Sequence, residues 1–137
     1  MRRLALRAVL LVVLVLPGSA AAAGGFTARL TASYVHAAGA ASGTATLTLS
    51  AGQVCWKFTL KGLVKPGASG IHKAPPPAGG KSSSTVIPLA TTSSKPGCTA
   101  VSPVAVINLA NHPSLYYVVV ADSKHPNGAV GGVLKPA

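Results

Sequence analysis

Carboxylates are almost missing from this chain. A single acidic residue, Asp122, stands against 12 Lys and Arg in 137 residues. Glycoside hydrolysis by a carboxyl pair is therefore excluded. So is a calcium or magnesium cage built from acidic oxygens. Only Asp122 could orient a catalytic histidine. Aromatics are scarce too, with Trp 1, Tyr 3 and Phe 2. The lysines at 57, 61, 65, 73, 81, 95, 124 and 135 are scattered and not interleaved with aromatics. A nucleic-acid surface of cations and stacking rings is not expected.

Local chemical motifs are lacking as well. No two of His36, His72, His112 and His125 are spaced i,i+2 or i,i+4, so no local chelate exists. A copper or zinc site would have to assemble His72 with His36, His112 or His125 across the fold. The serines fall in runs such as "SSS" and "TTSS", without a nucleophile elbow. There is no glycine-rich strand-to-helix phosphate loop. These absences point away from an enzyme, and no cofactor is expected.

What is present begins with "MRRLALRAVLLVVLVLPGSAAAAGG". Arg2, Arg3 and Arg7 form a basic segment, Ala8 to Leu16 an apolar one, and small residues follow Pro17 and Gly18. This is the layout of a secretory signal peptide. The apolar run is well short of the roughly 20 residues that span a bilayer. Cleavage after Ala23 leaves residues 24–137 as one domain, secreted or held in the cell envelope, with no membrane anchor. A basic domain in that compartment is expected to contact anionic cell-surface polymers or extracellular proteins. The candidate contacts are Lys57, Lys61, Lys73 and Lys81.

Cys55 and Cys98 are the only cysteines. In an exported chain their expected fate is one intramolecular disulfide. Chain entropy assigns a loop of that length about 4 kcal/mol. The alternatives are an intermolecular bridge or a metal site, the latter disfavoured because no C-x-x-C pair exists.

Period-two alternation dominates the rest. In "SGTATLTLS", Thr44, Thr46 and Thr48 share one face; Ala45, Leu47 and Leu49 share the other. In "QVCWKFTLKG", Val54, Trp56, Phe58 and Leu60 oppose Cys55, Lys57, Thr59 and Lys61. The two runs predict a β-hairpin over 42–50 and 53–61. Trp56 is in phase with apolar residues and reads as core. "FTARLTASY", residues 69–74, "STVIPLA", "LYYVVVA" and "AVGGVL" are further strands. "STVIPLA" belongs at an edge because Pro88 lacks a donor. "LYYVVVA" reads as buried on both faces. "TTSSKPGC" reads as a turn. Ser102 and Pro103 predict the start of one short helix, with Val104, Ile107 and Leu109 facing inward. The expected fold is all-β: an antiparallel, Greek-key-like sandwich or barrel with one helix and one disulfide.

The ordered set "SGTATLTLSAGQVCWKFTLKGL", "GIHKA", "TVIPL", "KPGCTAVSP" and "NHPSLYYVVVADSKHPNGAVGGVL" resembles the CHRD domain family, named for chordin, over about residues 26–134. The resemblance implies an all-β secreted domain with a role in extracellular binding. The departures are specific. The family's "HIH" is Gly70–Ile71–His72. Its Asn-Val-His is Val119–Val120–Ala121. Its Gly-x-Ile-Arg-Gly is Gly128 to Gly132, with Gly131 in place of Arg. His72 is the one retained member of that polar set, and is the candidate metal or ligand residue.

Overall fold

The computed structural model describes residues 24–78 and 83–137. The expected signal segment, 1–23, and Lys81 lie outside the described residues.

Alternation builds the first three strands as the sequence requires. In β1 (Gly25–Thr31), Phe26, Ala28 and Leu30 are buried, and Thr27, Arg29 and Thr31 point the other way. In β2 (Ser42–Ser50), Ala45, Leu47 and Leu49 are buried and Thr44, Thr46 and Thr48 are exposed. In β3 (Gln53–Lys61), Val54 and Trp56 are buried while Lys57, Thr59 and Lys61 face solvent. β2 and β3 pair from Ser50↔Gln53 to Ser42↔Lys61. Gly52 closes their turn at φ 74°, a conformation that its missing Cβ makes accessible.

Next come β4 (Ser69–Lys73), β5 (Thr85–Pro88) and β6 (Gly97–Ala100). The helix α1 (Pro103–Asn111) leads to β7 (Tyr116–Val120), β8 (Val130–Val133) and β9 (Lys135–Pro136). The sheet runs β5-β4-β7-β8-β1-β2-β3-β6, with β9 alongside β1. Its pairings are antiparallel. The sheet curls into a half-barrel. Its two edge strands, β5 and β6, line one cleft of about 170 Å³ together with the start of α1. β5 is an edge strand, as Pro88 demands. β7 is buried along its whole length. Val118 and Val120 enter the main core with Leu30, Leu47 and Ile71, while Tyr117 and Val119 join a smaller cluster around Val35.

Two expectations are corrected. Gly97–Ala100 is a strand and not the end of a turn. Its register sets Cys98 opposite Cys55. The two are disulfide-bonded, with Cα atoms 4.0 Å apart, so the bond staples β6 to β3. In α1 the Ser102 side chain accepts from the Ala105 N–H at 3.2 Å, as an N-cap should. But Val104 and Ile107 face solvent, at 65% and 56% exposure. The helix docks through Leu109, with Ala105 and Val106 partly buried beside it. A short helix can present only one stripe, and the stripe through 105 and 109 wins.

Candidate functional site

His72 lies on β4, whose residues alternate between the two faces of the sheet. Ile71 faces the core, and His72 faces outward under cover of neighbouring segments, at 6% exposure. Its Nδ1 lies 2.7 Å from the backbone carbonyl of Ser83. A carbonyl only accepts, so Nδ1 carries the proton and donates. Nε2 is then the lone-pair nitrogen. The ring stacks on Tyr117 at 5.4 Å between centroids and 29° between planes. Tyr117 in turn shares a 3.0 Å hydrogen bond with Ser83 Oγ and meets Tyr34 edge-on at 5.6 Å. Burial lowers the His72 pKa, and the Ser83 carbonyl offsets only part of that. The imidazole is therefore neutral at pH 7.

Strand register gathers Gly70, Val119 and Gly131, which the sequence reading singled out. Gly70 pairs with Val119, and Val119 pairs with Gly131, giving one row across β4, β7 and β8. A Cβ at Gly70 would stand 3.4 Å from His72 Nε2. Gly70, His72, Thr85, Val119, Ala121 and Asn127 line a cleft of about 300 Å³. Gly131 adjoins it, with the Val35 side chain filling the space that its own Cβ would take. So residues distant in sequence form one patch. The cleft carries no charged side chain, and its polar groups are Ser69, His72, Thr85, Thr91 and Asn127.

The patch holds one neutral imidazole and no acid partner. Asp122 is engaged elsewhere. Its carboxylate accepts from the N–H groups of Val64, Lys124 and His125 and sits 3.0 Å from His125 Nδ1. Burial pushes its pKa up, but the Val64 and His125 contacts outweigh this and hold it below the ordinary value. Asp122 thus ties the loop after β3 to the β7–β8 turn. Among the described residues no group of three His, Cys, Asp or Glu side chains is arranged to hold a metal ion. His36 and His125 line a different cleft, and His112 ends α1 in the open. The four histidines do not assemble around His72 into such a set.

The candidate lysines divide. Lys57 and Lys61 are exposed on the same face of β3. Lys73 ends β4 in the other half of the sheet, with β7, β8, β1 and β2 between. Two cations escaped the sequence reading. Arg29 and Lys135 are brought beside the β3 face by register, through Arg29↔Thr44↔Thr59 and Lys135↔Thr27↔Thr46↔Lys57. The alternation of Phe26, Ala28 and Leu30 was the signal that turns Arg29 outward. The partners of His72, Ser83 and Tyr117, carried no such signal.

A curled antiparallel sheet with a cross-strand disulfide and an outward-facing histidine patch defines a small disulfide-bonded all-β domain. The CHRD domain model matches residues 26–134, and the chain belongs to that family. No curated protein and no solved structure matches it.

Proposed function

We propose that this protein is a non-enzymatic binding or structural module of the extracytoplasmic space that contacts anionic partners through its exposed cations. Membership of the CHRD family fits a module of this kind. The observation that carries the reading is the fate of Asp122. The one acidic side chain is buried and held by internal donors. The exposed charged side chains among the described residues are therefore all basic, including Arg29, Lys57, Lys61, Lys73 and Lys135. Among the described residues no acidic side chain is exposed to oppose an approaching polyanion. The Cys55–Cys98 disulfide fits an oxidising compartment. No helix among the described residues is long and apolar enough to cross a membrane.

The test is retention of the chain from residue 24 onward on immobilised anionic polymers and on anionic vesicles. Binding is expected at low ionic strength and should fade as salt shortens the Debye length from about 30 Å at 0.01 M to about 3 Å at 1 M. Absence of binding to every polyanion at low salt overturns the reading.

A further inference from the structure

We infer that the outer face of β1, β2, β3 and β9 is a docking surface for a linear carboxylated polysaccharide. This rests on the reading above, which supplies the charge but not the place or the partner. Register gives the face its composition. One row is Lys135, Thr27, Thr46 and Lys57; the next is Arg29, Thr44 and Thr59; the third is Thr31, Ser42 and Lys61. Thr44, Thr46, Thr59, Arg29, Lys57 and Lys61 are all exposed. These three rows contain cations and hydroxyls only.

Spacing follows from sheet geometry. Neighbouring strands lie about 4.8 Å apart, and same-face residues about 6.8 Å apart along a strand. Arg29, Lys57 and Lys61 then form a triangle with sides of about 12–14 Å, with threonines between them. Such a lattice offers separated cations to carboxylates carried along an extended chain, and hydroxyls to the sugar hydroxyls between them. The rows hold no aromatic side chain, so stacking of nucleobases has no platform. They hold no large apolar side chain, so insertion into a lipid bilayer has no anchor. Charge complementarity and hydroxyl density together select the polysaccharide.

The test uses the chain from residue 24 onward with polygalacturonate as probe, and neutral dextran, single-stranded DNA and phosphatidylglycerol vesicles as comparators. The face variant is Arg29→Gln with Lys57→Gln and Lys61→Gln. The charge-matched variant is Lys65→Gln with Lys95→Gln and Lys124→Gln, all in loops. Far-UV circular dichroism and thermal melting check that both fold. The face variant is expected to bind polygalacturonate at least tenfold more weakly, and the loop variant within threefold of the parent. A third variant, Thr44→Val with Thr46→Val, keeps every charge and should lose about threefold. Equal losses in the face and loop variants would overturn the docking face while leaving the general basic-surface reading intact. Face-dependent binding to DNA or vesicles but not to polygalacturonate would overturn the choice of partner. If the parent bound no polyanion at all, the underlying reading would fail first.

Discussion

Along β4, β7 and β8 the outer face of the sheet is roofed. Along β1, β2 and β3 it stands bare. Val35, Tyr34 and Ala37 pack over Tyr117 and Val119 on the first side. Threonines and cations meet water on the second. The roofed side holds Gly70, His72, Val119, Ala121 and Gly131. The bare side holds none of those positions. The comparison teaches that the residues that mark the sequence and the open charged face need not coincide. Gly70, Val119, Ala121 and Gly131 bring no polar side chain to the roofed side, where Val35 packs against Val119. The bare face presents Arg29, Lys57, Lys61 and Lys135 to solvent.

The two halves should also fail differently. The largest effect is expected on the bare side, where a covalent bond holds β6 against β3. Cys55→Ala with Cys98→Ala should lower unfolding stability by about 4 kcal/mol. The near-UV signal of the Tyr34–Tyr117 pair should persist below the melting transition, because that pair belongs to the roofed side. Loss of the tyrosine signal ahead of global unfolding would show that the halves are not separable.

On the roofed side, Gly131→Ala should cost about 2–3 kcal/mol. The new Cβ meets the Val35 side chain and lies 2.9 Å from the Val118 carbonyl. Adding Val35→Ala should recover part of the loss and not all, since the carbonyl cannot withdraw. Chemical denaturation of the two variants measures both.

A smaller effect separates the sides by pH. His72 is held neutral by burial, so its folded pKa lies below the unfolded value of about 6.5. Between those values the unfolded chain binds more protons than the folded chain. The stability from neutral His72 is complete above about pH 6.5 and declines as pH falls through that window. Asp122 acts lower. Its folded pKa is depressed, so its contribution is present above about pH 3.9 and is lost as pH falls through the depressed value. The denaturation midpoint should therefore drop between pH 7 and pH 5. His72→Phe should flatten that drop. It should cost about 1–2 kcal/mol at pH 7, because the Ser83 carbonyl loses its donor.

Much of the fold was legible because alternation is a local signal. The β2–β3 hairpin, the inward set of β1, the edge position forced by Pro88 and the buried run of β7 all follow from spacing and residue type. The Cys55–Cys98 bond follows from a chain with two cysteines and no C-x-x-C pair. β6 was not legible, because four residues beginning with glycine carry no period. The facing of α1 was misread because valine and isoleucine look like core residues, whereas Ala105 and Leu109 fit the available groove. The candidate site was less legible still. Nothing local says that Gly70, Val119 and Gly131 share a row; only the register of three strands does. The same holds for Arg29 and Lys135 beside Lys57. Alternation set the polarity of the faces of β1, β2 and β3, and strand order decided which faces became neighbours.

The claim that contact belongs to the bare face is tested most directly by amide chemical-shift mapping with polygalacturonate at low salt. The account predicts perturbations along Thr27–Thr31, Thr44–Thr48 and Lys57–Lys61, with Gly70–His72 and Val118–Ala121 unmoved. Perturbations centred on His72 and its cleft, with the bare face silent, would contradict it.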